Sequence, residues 1–174
     1  MPRKSPLPRW VYYGTTTQFR YSFQRINLKK VGQFQEFGPG FYAYSQRGAA
    51  CETARHAATA GSHQPLLITF KVDTEQLQRL NGLIFTAPDA AWLNFILKQS
   101  LPAGSCRPAH EFIYGPVADP SIGQCIEEIK KGRGSYTDLQ KACQTRRAPL
   151  QYQLCCATHQ ALNALILRGL LTLT

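Results

Sequence analysis

The stretch FGPGFYAY, residues 37–44, constrains the fold most, because glycine, proline and aromatic residues are packed closely within it. Gly38 and Gly40 allow the backbone to turn sharply or to approach a ligand closely. Pro39 fixes the turn between them. The aromatic residues that follow are predicted to form a short strand over residues 41–44.

Successive side chains of that strand must face opposite sides of the sheet. Phe41 and Ala43 are therefore expected on one face, and Tyr42 and Tyr44 on the other. Such a strand could hold a tyrosine ring beside a flat ligand. The stretch is equally compatible with a glycine turn that enters a buried aromatic strand, and both interpretations stay open at this point.

The whole chain has 174 residues, which fits one domain with a sizeable core. We predict a basic, proline-rich tail over residues 1–9 and a single domain over residues 10–174. An apolar fraction of 44% indicates a globular protein, and no apolar run is long enough to cross a membrane. The start of the chain lacks the apolar region of a Sec signal peptide.

The net charge of +10 favours an anionic ligand or an acidic partner surface, although each basic cluster can equally be solvated surface. The clusters are Arg3, Lys4 and Arg9; Arg20, Arg25, Lys29 and Lys30; Lys130, Lys131 and Arg133; and Arg146 and Arg147.

Six cysteines and four histidines occur without zinc-ligand spacing, so no metal site is predicted. Cys155 and Cys156 are adjacent in a predicted strand and should point to opposite faces of the sheet. We interpret the thiols as mostly reduced and buried.

The order of elements indicates an α+β domain, because strands and helices are mixed without strict alternation. Strands are predicted over residues 10–13, 41–44, 66–72, 111–119, 150–157 and 170–174. Helices are predicted over residues 17–26, 48–60, 74–80, 88–100, 120–132, 135–146 and 158–169, with loops at 27–36 and 102–109.

Four segments together resemble the DUF3990 family of the ADP-ribosyltransferase-like superfamily. VYYGT (11–15) resembles the family's LYHGT, and FGPGFYA (37–43) resembles its FGKGFYLT. Trp92 and Phe95, followed by IYGPVAD (113–119), resemble its W..F and VIGPVADD. QLCCATHQAL (153–162) resembles its QISFHTEKAL. The segments occur in the family's order and spacing.

The resemblance implies a split β-sheet flanked by helices, with NAD as co-substrate held in the cleft. One branch of that superfamily carries a His–Tyr–Glu set on three strands. By motif, Tyr13 takes the His position at the adenosine ribose, and Tyr42 takes the Tyr position that stacks on nicotinamide. Gln153 takes the Glu position at the 2′-hydroxyl of the nicotinamide ribose. The residues that the resemblance assigns to NAD binding are Tyr12, Tyr13, Gly14, Thr15, Phe37, Gly40, Phe41 and Tyr42.

The set departs from that branch because Tyr13 replaces histidine and Gln153 replaces glutamate. A phenol can still bind a ribose hydroxyl, but an amide cannot accept a proton at neutral pH. A general base must therefore come from elsewhere, or the acceptor must need little activation. Glu36, Glu111 and Asp119 are the acids nearest the motifs, and Asp119 is equally suited to capping the next helix.

The resemblance implies a mono-ADP-ribosyltransferase of the secreted bacterial effector or toxin type, expected to act as a monomer in the cytoplasm of a target cell. The expected acceptor is a Thr or Ser hydroxyl, or another side chain, of a host protein such as ubiquitin. Nucleic acid is a weaker candidate acceptor. The alternatives are an NAD glycohydrolase and a non-catalytic module that binds NAD or a partner.

Overall fold

A computed structural model describes residues 6–22, 26, 28, 36–100, 109–145 and 149–174. The predicted loops at 27–36 and 102–109 lie almost wholly outside these ranges, as do residues 23–25 of the first predicted helix. Cys106 also lies outside the described residues, together with the basic residues Arg3, Lys4, Arg25, Lys29, Lys30, Arg146 and Arg147.

The described chain is a mixed α and β fold, as the order of predicted elements indicates. Its strands are β1 (Trp10–Thr16), β2 (Phe41–Tyr44), β3 (Pro65–Val72), β4 (Gly82–Ile84), β5 (Phe112–Pro116), β6 (Tyr152–Cys156) and β7 (Leu165–Thr172). Its α-helices are α1 (Arg47–Thr59), α2 (Thr74–Gln78), α3 (Ala90–Ser100), α4 (Pro120–Lys130), α5 (Tyr136–Gln144) and α6 (His159–Leu162).

The strands form one seven-stranded sheet in the order β4-β5-β6-β2-β1-β3-β7. All neighbouring strands are antiparallel except β4 and β5, which are parallel. β1 and β3 pair along the whole of β1, from Trp10 opposite Lys71 to Thr16 opposite Pro65.

β1 and β2 meet differently, because in the described residues their register consists of Tyr12 opposite Tyr44. β2 in turn pairs with β6 over its full length, from Phe41 opposite Cys156 to Tyr44 opposite Gln153. The sheet therefore consists of two halves, β4-β5-β6-β2 and β1-β3-β7, that meet at one narrow contact, which we call the join.

Hydrophobic clusters lie on both faces of the sheet. The first contains Phe41, Ala43 and Cys156, and the second contains Tyr42 and Cys155. This separation confirms the predicted alternation along β2 and the opposite orientations of the paired cysteines. Helices α3, α4 and α5 cover the second cluster with Trp92, Ile122 and Leu139, which are fully buried.

Local polar side chains cap several of the helices. Asp119 accepts hydrogen bonds from the backbone N–H groups of Ser121 and Ile122, so it caps α4 as expected. Ser135 and Asp138 form a capping box at α5, and Thr158 caps α6.

The final helix, predicted over residues 158–169, is wrong beyond its first turn. α6 ends at Leu162, and β7 then pairs with β3 from Leu165 opposite Val72 to Thr172 opposite Leu66. The apolar run has no strong preference between helix and strand, and pairing with the open edge of β3 decides it. The predicted helix over 17–26 is also wrong at its start, where Thr17–Phe19 form one 3₁₀ turn. The short strand β4 was not predicted.

Leu7 is 5% exposed and belongs to the first hydrophobic cluster, although it lies in the stretch predicted as a tail. The neighbouring carbonyl of Arg9 accepts a hydrogen bond from the Val72 N–H at 3.0 Å. The described end of that stretch is therefore packed against the domain.

Candidate functional site

A cavity of about 280 Å³ lies at the join, where β1 of one half of the sheet meets β2 of the other. Its walls come from β1, β2 and β6, from helix α1, and from the segments that precede β2 and follow β5. The lining residues are Tyr13, Gly14, Glu36, Tyr42, Ala43, Tyr44, Thr53, Val117 and Gln153. The cavity lies where β1 and β2 separate, so the backbone geometry of the sheet creates it.

Tyr42 is held in place by its own turn. Its hydroxyl donates to the carbonyl of Gly38 at 2.6 Å and accepts from the N–H of Phe37 at 3.1 Å. Gly38 has a φ of +86°, which favours glycine, so the sequence of the turn determines this geometry. The ring is 8% exposed and stacks on Phe37 at a centroid distance of 6.2 Å. Tyr42 thus presents a rigid, largely buried ring at the cavity wall.

Burial is the main cause that raises the pKa of Tyr42 well above its usual value, and Cys155 and Glu36 add to the shift. Burial also raises the pKa of the Cys155 thiol to about 12, with a further contribution from the charge of Glu36. Both groups are therefore protonated near neutral pH. Cys155 and Cys156 are free and fully buried, whereas Cys51, Cys125 and Cys143 are only partly buried, so the prediction of mostly buried thiols is correct for the pair in β6 alone among the described cysteines.

At Gly14 and Gly40, atoms of neighbouring residues occupy the space that a side chain would need. A Cβ on Gly14 would collide with the carbonyl oxygen of Ala50 and lie 2.8 Å from the amide nitrogen of Ala54, both in α1. A Cβ on Gly40 would lie 2.5 Å from the sulfur of Cys155. Close packing therefore requires both glycines, and Gly14 additionally lines the cavity.

Tyr13 reaches the cavity from β1. Its ring packs on Phe41 with centroids 4.9 Å apart, so most of it belongs to the first hydrophobic cluster. Burial raises the pKa of Tyr13, while a side-chain hydrogen bond with Thr15 lowers it. Tyr13 can thus offer a protonated hydroxyl to a ligand.

Gln153 and Glu36 form the polar centre of the site. Gln153 is 5% exposed, and its Nε2 donates to Oε2 of Glu36 at 2.7 Å. The other carboxylate oxygen of Glu36 accepts from the backbone N–H of Ala118 at 3.2 Å. Glu36 is thereby fixed between β6 and the segment that follows β5.

The segment GPVAD, residues 115–119, forms one wall of the site, and each residue from 116 to 119 has a different role in it. The carbonyl of Pro116 accepts from Nε1 of the buried Trp92 at 3.1 Å. Val117 lines the cavity, Ala118 binds Glu36, and Asp119 caps α4. The other proposed acid, Glu111, does not line the cavity and instead accepts from the Asn81 N–H at 2.9 Å.

Of the predicted site residues, Tyr13, Gly14, Tyr42 and Gln153 lie together around the cavity. Tyr12, Thr15, Phe37, Gly40 and Phe41 do not line it. Phe37 and Phe41 are 3% exposed in opposite hydrophobic clusters, which explains why their rings do not reach the cavity.

The sequence assigned no binding or catalytic role to Ala43, Tyr44, Thr53 or Val117, although the alternation along β2 placed Tyr44 on the face of Tyr42. Glu36 was noticed only as an acid near the motifs. Its position directly before FGPGF is the signal that could have identified it, because that turn brings it to Gln153.

The described cavity lining contains no lysine or arginine. The basic residues Lys130, Lys131 and Arg133, at the end of α4 and in the turn after it, make ion pairs with Glu127 and Glu128 of α4. Within the described ranges no group of His, Cys, Asp and Glu could hold a metal ion. The helices described here include none with the length and apolarity needed to cross a membrane.

Comparison with protein families matches residues 10–167 to DUF3990, which is described as a protein of unknown function. Searches of curated proteins and of solved structures found no match. Since the family match extends over most of the 174 residues, the chain belongs to the DUF3990 family.

Proposed function

We propose that the protein is a mono-ADP-ribosyltransferase that transfers ADP-ribose from NAD to a macromolecule. The observation that carries this proposal is that Tyr13, Tyr42 and Gln153, from three different strands, surround one cavity at the join. The narrow contact between β1 and β2 also fits the split sheet of the ADP-ribosyltransferase-like superfamily. We therefore also propose that the protein has the ADP-ribosyltransferase-like fold.

The cavity fits one end of NAD better than the whole molecule. Its volume of about 280 Å³ is near the lower limit for small-molecule sites. Aromatic walls from Tyr13, Tyr42 and Tyr44 suit the flat, cationic nicotinamide ring. The carboxylate of Glu36 adds a negative charge beside it. We therefore assign nicotinamide and its ribose to the cavity, with the adenosine ribose at the edge formed by Tyr13 and the adenine on the surface outside.

In this assignment the protein positions the substrate and stabilises developing positive charge. Tyr42 stacks on nicotinamide, and its two hydrogen bonds keep the ring from rotating away. Gln153 holds the adjacent ribose hydroxyl, which fixes the sugar conformation. Glu36 lies where a negative charge would stabilise an oxocarbenium-like sugar.

The proposed acceptor is a hydroxyl of Thr or Ser, or another side chain, on a host protein such as ubiquitin. The net charge of +10 favours an acceptor with an acidic surface. We further propose that the protein is secreted by a bacterium and acts in the cytoplasm of the target cell.

The test is release of nicotinamide from NAD, with and without a eukaryotic lysate, combined with intact-protein mass spectrometry. We expect lysate-dependent ADP-ribose adducts with the wild type, loss of activity in Tyr42→Ala, and intermediate activity in Tyr42→Phe, which keeps the ring but loses the two hydrogen bonds that hold it. Tyr21→Ala is the control, because Tyr21 is 69% exposed and does not line the cavity. Circular dichroism must show that Tyr42→Ala is folded.

The competing functions give different outcomes. Release without an adduct would indicate a glycohydrolase, and labelled nucleic acid would identify a different acceptor. No release under any condition would refute both enzymatic functions and leave a binding module.

A further inference from the structure

We infer that Glu36, which is outside the set transferred from the family, is the general base that accepts the proton of the acceptor in the proposed transfer. This inference rests on the proposed function and assigns the base that Gln153 cannot provide. It depends on the position of Glu36 in the cavity wall and on its two hydrogen bonds.

The pair of Glu36 and Gln153 determines which way the Gln153 amide points. A carboxylate can only accept hydrogen bonds, so the amide group facing Glu36 across 2.7 Å must be the NH₂. The Gln153 carbonyl oxygen is then left to accept a ribose hydroxyl. Glu36 therefore also sets the orientation of the residue that we assign to the substrate.

Glu36 is the carboxylate that the described cavity lining contains. Each of its oxygens already accepts one hydrogen bond, from Gln153 and from the Ala118 N–H. A carboxylate oxygen has two lone-pair sites, so each retains capacity for a substrate proton. The described lining provides no cation to pair with it, and its charge thus faces the cavity.

The step balances as follows. The bond between C1′ of the ribose and the nicotinamide nitrogen breaks, and its electron pair goes to the nitrogen, which loses its positive charge. A lone pair of the acceptor oxygen forms the new bond to C1′. The hydroxyl proton passes to Glu36 and later to solvent. No oxidant, reductant or metal is needed.

The first test compares kcat for nicotinamide release in wild type, Glu36→Gln and Glu36→Asp. General-base catalysis contributes about 10²–10⁴-fold, so we expect a loss of that size in Glu36→Gln with little change in KM for NAD. Glu36→Asp should recover part of the rate. Glu111→Gln is the matched control, since Glu111 also accepts a backbone N–H but lies outside the cavity. Its kcat should stay at the wild-type value.

A second readout separates catalysis from a structural role. Glu36→Ala should be rescued by added formate in proportion to the formate concentration, because a small carboxylate can occupy the vacated space. Glu36→Gln, whose side chain fills that space, should not respond. Loss of activity that formate does not restore would overturn the inference.

The wild type, compared with Glu36→Gln, provides a third test. Its kcat should fall on the acid side of the pH profile, and this limb should be absent in Glu36→Gln. The titratable groups near Glu36 are Tyr13 from β1, Tyr42 and Tyr44 from β2, and Cys155 from β6. A flat acid side in the wild type, or a Glu36→Gln kcat within tenfold of wild type, would overturn the inference while leaving the transferase intact. An inactive wild type would instead refute the proposed function.

Discussion

β1 has two sides that differ sharply. Towards β3 it pairs along its whole length, from Trp10 to Thr16. Towards β2 its described register is Tyr12 opposite Tyr44. The first side buries Leu66 and Ile68 of β3 completely. On the second side, β1 borders the cavity that Tyr13, Gly14 and Gln153 line.

The difference shows how one strand can serve both stability and a site. A continuous ladder satisfies backbone groups and packs the core, so it leaves no space for a ligand. Where the ladder stops, side chains from neighbouring strands can converge on a space between them. We expect substitutions on the β3 side to change stability, and those on the β2 side to change activity. Gly14 is the exception, because α1 packs directly against it.

The largest expected effect is that of Gly14→Ala. The new Cβ would collide with the backbone carbonyl of Ala50. Separating α1 from β1 to relieve this collision would disrupt the packing of α1 on the sheet or the pairing of β1 with β3. We expect a loss of about 5 kcal/mol or more, or no folded protein. Urea denaturation measures this. Gly48→Ala is the matched control, because a Cβ there meets nothing within 4 Å and should be neutral or stabilising. Normal stability of Gly14→Ala would contradict the packing between α1 and β1.

An intermediate effect is expected for Leu66→Ala on the β3 side. Leu66 is 0% exposed and lies in the first hydrophobic cluster, so truncation should cost about 2–5 kcal/mol through lost burial and a cavity. Nicotinamide release per folded molecule should be unchanged. Lys71→Ala, at an exposed position of the same strand, should change neither quantity. A selective loss of activity in Leu66→Ala would remove the distinction between the two sides.

The smallest expected effect is a pH dependence that Tyr42 contributes to stability. Its folded pKa is raised mainly by burial, whereas the unfolded chain titrates near pH 10. The unfolded state therefore loses its proton first, so this contribution is complete below pH 10 and declines as pH rises. The stability difference between wild type and Tyr42→Phe should narrow by about 1.4 kcal/mol one pH unit above 10.

Paired denaturation curves at pH 8 and pH 11 measure this change. Tyr21→Phe is the control, because Tyr21 is largely exposed and its variant should keep a constant difference from wild type. A constant difference for Tyr42→Phe as well would mean that the ring is hydrated at the cavity wall. Tyr42 would then be more accessible to water from the cavity than its small exposed fraction indicates.

The sequence by itself determined the features that depend on neighbouring residues. The turn at Gly38, the alternation of Phe41 and Tyr42, and the cap at Asp119 follow from local geometry, and the sequence predicted each of them. The four motifs also identified the family. These features extend over a few residues, so a short pattern carries enough information.

Only the tertiary structure decided the pairings between distant segments. Residues 165–172 form the strand β7 because they pair with the open edge of β3. That edge belongs to a distant segment, so the local sequence of residues 165–172 does not reveal it. Gly14 and Gly40 are explained by α1 and Cys155, which approach them from far along the chain. Glu36 meets Gln153 across 117 residues. The position of Glu36 before FGPGF marks it as a candidate, but no local pattern identifies its partner, because the contact forms only when the turn before β2 packs against β6.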